Sequence, residues 1–321
     1  MPKHLKRRIF HAIKAAFVAY LCLFASVYFA DGKGLACILL GACPDSNSNS
    51  TEADQIYAKA KEALNNRDYP KEFEYFKKLA DMGDARGYNG LGLVYENGEG
   101  VSKDYPKALD YLQKAANMGN AKAHSNLGNM YEYGQGTPKD HSKATEYYQK
   151  AAELYQKSVD KCSNDACINL GILYLNGLGV VKDYSKALEL FQKAANMGDS
   201  FGYLNLGNMY INGWGTPRDY LKAAEYYQKA GDMGSADAYT NLGFLYFKGQ
   251  GVAKNYSKAL RYSKKGADMG NALGYNNLGV LYEYGFGVKK SKAMALQYFK
   301  KACDVGVKLG CNNTKRLSHQ H

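Results

Sequence analysis

An all-α fold, a solenoid of antiparallel helix pairs, follows from three observations on the sequence. Leu-Gly pairs stand at Leu91, Leu127, Leu170, Leu206, Leu242 and Leu278, at intervals of 36, 43, 36, 36 and 36 residues. Four positions after each leucine comes a tyrosine (Tyr95, Tyr131, Tyr174, Tyr210, Tyr246, Tyr282), so leucine and tyrosine share one helical face and the glycine lets a neighbouring helix approach closely. A Gly-x-Gly pair then follows in every copy, at Gly98 and Gly100, Gly134 and Gly136, Gly177 and Gly179, Gly213 and Gly215, Gly249 and Gly251, and Gly285 and Gly287. A unit of this length cannot bury its apolar face alone, so stacked neighbours must complete its core.

The segment around each Leu-Gly pair is helix A. The Gly-x-Gly pair ends it, because glycine takes the left-handed conformation that a helix terminus needs. Helix B begins near Asp104-Tyr105-Pro106 and runs to Ala115-Ala116, and its counterparts begin at Asp140, Asp183, Asp219 and Asn255. Met-Gly-x-Ala turns such as Met118-Gly119-Asn120-Ala121 return the chain to the next helix A. The 43-residue interval contains a duplicated heptad, Tyr148 to Leu154 followed by Tyr155 to Lys161. Seven residues are nearly two whole turns, so this helix B lengthens without rotating its apolar face. It is expected to project beyond the solenoid edge after the third unit.

With 321 residues, 46% of them apolar, 22% charged and only 6 Pro, the chain is neither disordered nor of low complexity. Its formal charge is +12, and Lys3, Lys6, Arg7, Arg8 and Lys14 crowd the amino end. The remainder is moderately basic, which suits acidic partners without demanding nucleic acid. Behind the basic head, Ala15 to Ala30 carry no charge, and a second apolar stretch runs from Gly34 to Ala42. Residues 1–43 therefore read as an export signal or membrane anchor and not as part of the fold. Cleavage after Gly32 or Ala36, lipidation at Cys43, and retention of Ile9 to Ala30 as a spanning helix of about 33 Å are the alternative fates. Residues 44–52, rich in Ser and Asn, read as a polar linker.

The repeated residues resemble the Sel-1-like repeat, a close relative of the tetratricopeptide repeat that adds the Gly-x-Gly loop. With a degenerate first unit at about 54–90, lacking Gly-x-Gly, the resemblance covers seven units over residues 53–313, with a C-terminal tail at 314–321. It implies a right-handed superhelix with helices A lining the concave side.

Outside the leader four cysteines remain, and proximity pairs Cys162 with Cys167 and Cys303 with Cys311. Both pairs straddle a turn from helix B to helix A, where antiparallel helices bring their ends to disulfide distance, and export favours oxidation. Buried free thiols are the alternative; a metal site is a poorer one, since no His lies near either pair. Lys301-Ala302-Cys303-Asp304 with Cys311 eight residues later, and Cys167-Ile168-Asn169-Leu170-Gly171, resemble the Helicobacter cysteine-rich proteins, a disulfide-bearing branch of the same repeat family. The chain departs from that branch, because four helix B to helix A junctions carry no cysteine. Val159 also occupies the place eight residues before Cys167 where the branch has its first cysteine.

Gly-x-Gly here closes a helix, whereas a phosphate loop follows a strand and opens one, so no nucleotide site is read from it. None of the six His belongs to a metalloprotease motif, and the sequence calls for no metal or cofactor. The cysteine-rich branch implies penicillin binding with weak β-lactamase activity. The Ser158 to Lys161 Ser-x-x-Lys lacks the Ser-Asp-Asn and Lys-Thr-Gly partners of serine β-lactamases and reads as an accidental match. No catalytic residue is assigned, and hydrolase activity is kept as the alternative on analogy alone. The interleaved Lys and Tyr of helices B, as in Tyr147-Tyr148-Gln149-Lys150, follow helical repeat positions and read as packing material, not as a nucleic-acid surface.

By resemblance to tetratricopeptide repeats, helix A positions one before the leucine and two and five after it face the groove. Asn126, Asn169, Asn205, Asn241 and Asn277 hold the first position, and Asn129 and Asn208 the second. In relatives such asparagines hydrogen-bond a peptide backbone; bridging of neighbouring helices is the other reading. Five after the leucine the series is Glu96, Glu132, Leu175, Ile211, Phe247, Glu283. Leu175, Ile211 and Phe247 are therefore expected as apolar anchors, extended by Ile172, Leu204, Phe244 and Val280, although tighter packing between units explains them equally. Trp214 has no evident core role. The expected function is a non-enzymatic, exported scaffold binding a protein or peptide in its groove, in the bacterial envelope or at a host interface. Periplasmic or secreted location and membrane attachment are both left open, and nucleic acid is not expected as a partner.

Overall fold

The computed structural model describes residues 51–160 and 163–319. They form fifteen α-helices and no strands: α1 (Glu52–Asn65), α2 (Tyr69–Asp81), α3 (Ala85–Asn97), α4 (Tyr105–Asn117), α5 (Ala121–Tyr133), α6 (His141–Val159), α7 (Asn164–Asn176), α8 (Tyr184–Asn196), α9 (Ser200–Asn212), α10 (Tyr220–Asp232), α11 (Ala236–Lys248), α12 (Tyr256–Asp268), α13 (Ala272–Tyr284), α14 (Lys292–Asp304) and α15 (Lys308–Ser318). Odd-numbered helices up to α13 are helices A, even-numbered ones are helices B, and each packs on its sequence neighbours as a solenoid. The expected export or anchor segment and most of the linker lie outside the described residues. Among those described, no helix is long and apolar enough to cross a membrane.

Helices B start where the acidic residues foretell. Asp104, Asp140, Asp183, Asp219 and Asn255 each accept the backbone N–H three residues on, which satisfies a donor the first turn leaves orphaned. Helices A end on Gly98, Gly134, Gly177, Gly213, Gly249 and Gly285, all left-handed at φ between 70° and 75°. The second loop glycine serves another purpose. A Cβ on Gly251 would collide with the Tyr220 backbone of the preceding helix B, so the loop is the contact by which one unit seats on the last.

Each unit's core is the Leu-Gly leucine together with an alanine one turn into helix B. Ala108, Ala144, Ala187, Ala223, Ala259 and Ala295 are all completely buried. In the first unit the same register carries Glu72, which is buried with its Oε2 lacking a hydrogen-bond partner. Burial, reinforced by the charge of Glu99, pushes its carboxyl up to about 7. Most units add a tyrosine trio in which the helix B ring stacks between two helix A rings. Tyr226, for example, lies 6.2 Å from Tyr203 and 5.5 Å from Tyr210. Tyr147 stacks on Tyr131 at 5.5 Å with Lys150 over its ring, so the interleaved Tyr and Lys are occupied in packing.

The inserted heptad makes α6 nineteen residues long, with Tyr148, Ala151, Ala152, Tyr155 and Val159 all buried along one face. It does not simply project. At regular junctions the second loop glycine sits on the first residue of the preceding helix B, Gly136 on Tyr105 and Gly215 on Tyr184, but Gly179 sits on Tyr148 and Gln149, seven residues past His141. The next unit has followed the apolar face along the helix, because Tyr155 and Val159 must be covered, and it is displaced by two turns, about 10.5 Å. At the carboxyl end, residues expected as a tail from 314 form the last turns of α15. Leu317 is 4% exposed there, and Arg316 grips both Glu283 carboxylate oxygens at 2.8 and 2.7 Å.

Candidate functional site

On each helix A, residues five before the leucine, one before it and two after it recur at i, i+4 and i+7, so they share a face. Along the chain the first of these rows reads Arg86, Lys122, Asp165, Phe201, Asp237, Leu273, and Leu309 on α15 continues it. The second row is the asparagine row. The third reads Leu93, Asn129, Ile172, Asn208, Phe244, Val280.

The asparagines divide by partner. Asn126 donates to Asn89 Oδ1 at 3.0 Å and ties two consecutive helices A together, while Asn313 and Asn276 repeat that bond at 3.0 Å near the carboxyl end. Asn169 and Asn205 donate to the carbonyls of Asp165 and Phe201 in their own helices. Asn129 and Asn208 accept from the Tyr148 and Tyr227 hydroxyls, each at 2.7 Å. Asn241 lies close to the Tyr227 phenol, which burial pushes up and Asn241 pulls back. Asn277 makes no hydrogen bond among the described residues, and all seven predicted asparagines are half-buried.

The residues five after the leucine face the next unit. Leu175 packs with Trp214 on the cluster of Phe191, Leu206 and Met209, and Ile211 packs on that of Tyr227 and Tyr239. Phe247 meets Phe286 edge-on at 5.7 Å. These three are half-buried between units. Trp214 does have a structural role, since it stacks on Tyr184 at 5.9 Å. Of the expected extensions, Leu204 is buried and Phe244 is exposed. The exposed apolar groups of this helix A face are therefore Phe201 (59%), Phe244 (45%), Leu273 (51%) and Leu309 (52%). Three of them belong to the row five before the leucine, which the sequence reading passed over; the i, i+4, i+7 pattern with Asn205 and Asn277 was the available signal.

Cys303 and Cys311 form the expected disulfide, with Cα atoms 4.6 Å apart. Of the expected Cys162–Cys167 pair, Cys162 lies outside the described residues, and Cys167 is a free, fully buried thiol that burial pushes up. Register places another residue beside it. The position three before the leucine faces the residue eight back on the preceding helix B, as Tyr239 faces Gly231 and Cys311 faces Cys303. For Cys167 that residue is Val159, buried in the same cluster, whereas Cys162 is only five back. The Ser158 hydroxyl donates to the Leu154 carbonyl at 3.0 Å, within its own helix, and Lys161 lies outside the described residues. No group of three or more His, Cys, Asp or Glu among the described residues could hold a metal ion.

Comparison with known proteins agrees with this architecture. The Sel1 repeat family model matches residues 67–84, 85–120, 121–155, 164–199, 200–235, 236–271 and 272–307, most of the chain. The chain belongs to the Sel1 repeat family. It is 32% identical to a Sel1 repeat protein from Oxalobacter formigenes, over 77% of this chain and 99% of that one, with a TM-score of 0.55. It is 31% identical to a protective antigen of uropathogenic Escherichia coli strains displaying an SLR fold, over 77% of this chain, with a TM-score of 0.52; it spans about half, 52%, of that chain. Cysteine-rich protein B of Helicobacter pylori is 30% identical over 41% of this chain and 94% of its own, with a TM-score of 0.34. No curated protein matches the chain.

Proposed function

We propose that this chain is a non-enzymatic scaffold that holds a peptide segment of a protein partner along the helix A face, anchored in its carboxyl-terminal half. The observation that carries this reading is the group of half-exposed apolar side chains Phe201, Phe244, Leu273 and Leu309 beside the asparagine row. Exposed apolar groups gathered on one face, flanked by amide donors and acceptors, suit a peptide's alternating side chains and backbone. Export supports an envelope or host-facing partner, and its own support is the basic head and apolar run of residues 1–43 together with the Cys303–Cys311 disulfide.

The test is peptide selection by display on the full chain, followed by affinity measurement on Phe244→Asp with Leu273→Asp. We expect loss of at least about tenfold in affinity with unchanged helicity, as expected for hot-spot anchors. Leu221→Asp, on the exposed surface of α10, serves as the control. Equal affinity in the groove variant and the control would move the binding face elsewhere.

A further inference from the structure

The positive charge of the repeat region is gathered at its carboxyl end. Residues 51–247 carry 22 Lys and Arg against 25 Asp and Glu, whereas residues 248–319 carry 14 against 3. Of those three carboxylates, Glu283 is held by Arg316 through both oxygens. All fourteen cations are exposed, and twelve of them are lysines.

The fold does not ask for this charge. On helix B the second to fifth units place an acid four residues before a lysine, as Asp110 does before Lys114, which it meets at 2.8 Å. In α12 Arg261 takes the place of the acid, four residues before Lys265, a spacing at which like charges repel. The caps change in the same sense, because the Asp that starts every earlier helix B gives way to Asn255 and Ser291, which cap without the negative charge. Nine residues after the cap, Gln113 and Gln228 accept from the Tyr147 and Tyr262 hydroxyls at 2.7 and 2.6 Å and link successive helices B. Lys264 takes that register opposite Tyr298 and can only donate, and Lys300 repeats it in the last unit. Stabilising contacts are given up here, each time toward positive charge.

An aromatic edge borders this face. Tyr284 is 55% exposed and stacks on Phe286 at 5.7 Å, and Phe286 stacks on Tyr256 at 4.6 Å. Lys289 and Lys290 follow in the same loop, and Lys254 holds the place matching Lys290 in the loop before. A site for individual phosphate groups would call on the planar fork of arginine, whereas the compact, strongly hydrated charges of lysine suit a diffuse negative surface. Aromatic rings beside them suit the boundary between lipid headgroups and apolar chains. We propose that the exposed lysines of α12 and α14, with the Tyr284–Phe286 edge, dock this end of the solenoid on an anionic lipid surface. The proposal is independent of the peptide reading of the helix A face and of the fate of residues 1–43.

The test follows acetylation of individual lysines of the full chain by mass mapping, in the presence of vesicles of phosphatidylcholine alone or of phosphatidylcholine mixed with phosphatidylglycerol. With phosphatidylglycerol at low ionic strength, Lys254, Lys264, Lys290 and Lys300 should react at least about fivefold more slowly, an effect that high salt removes by screening. Lys107, Lys143 and Lys186 should keep their rates. Because the readout is local, insertion of the amino end into both kinds of vesicle does not imitate this pattern. The triple variant Arg261→Glu, Lys264→Glu, Lys300→Glu should lose the protection of Lys254 and Lys290 with unchanged helicity. Protection of lysines in every unit alike, no protection, or its persistence in the triple variant would overturn the proposal. So would polyglutamate that shields the same lysines where vesicles do not, a result that gives the face to an acidic protein.

Discussion

The Tyr148 hydroxyl donates to Asn129 Oδ1 at 2.7 Å, and two units later, past the insertion, Tyr227 makes the same bond to Asn208. The two positions are nineteen residues apart in every unit, and elsewhere they hold Leu93 with Leu112, Ile172 with Phe191, and Val280 with Phe299. Polar meets polar or apolar meets apolar, because a buried phenol without an acceptor forfeits its hydrogen bond. Phe244 with Ser263 is the exception, and Phe244 is the member of that row left exposed.

Tyr148→Phe and Asn129→Leu should each destabilise the chain by about 1 to 2 kcal/mol, since each strands a partner. The double variant recreates the apolar pairing of the second unit and should recover most of the loss. Urea unfolding of the four species forms the double-mutant cycle; simple additivity would show that the bond carries no coupling.

Glu72 makes stability depend on pH. Its carboxyl is raised by burial from an ordinary 4.5 to about 7. Between those values the folded state keeps a proton that the unfolded chain has released, so stability falls as the pH rises through the window. Glu72→Ala, the residue that the other units carry, should gain roughly 2 to 3 kcal/mol at pH 8 and little at pH 4. Thermal melts of both proteins across this range decide it, with parallel curves the contrary result.

Val159→Cys should oxidise with Cys167 without catalyst, copying the eight-residue spacing of Cys303 and Cys311. Thiol counting and peptide mass mapping read the bond directly. The expected stabilisation is about 2 to 3 kcal/mol for so short a loop. A free Cys167 in that variant would show the register argument to be mistaken.

Deleting residues 155–161 should leave the solenoid folded and return the fourth unit to regular stacking, with the loop of Gly179 over the start of α6. The cleft lined by Leu154, Tyr155 and Ser158 should vanish with it. A crystal structure of the deletion variant checks both outcomes.

Incubation of the full chain with a fluorescent penicillin should leave no label after denaturation, because the Ser158 hydroxyl is spent on the Leu154 carbonyl. Retained label that Ser158→Ala abolishes would make the inserted heptad an acylation site.

Local chemistry was legible because it repeats: the Gly-x-Gly pairs fixed where helices A stop, and Asp104 and its counterparts fixed where helices B begin. The heptad arithmetic fixed how α6 lengthens. These are properties of a few consecutive residues, governed by caps, turns and helical period. The sequence by itself thus determined the unit and its copy number to within the degenerate first pair. What only the tertiary structure decided is how units meet. Leu175, Ile211 and Phe247 turn toward the next unit, Cys167 toward Val159, and the fourth unit climbs two turns along α6 to cover Tyr155. Each of these depends on which distant surface arrives to bury an apolar group, and that contact, set by close packing between helices, has no signature in the local residue pattern.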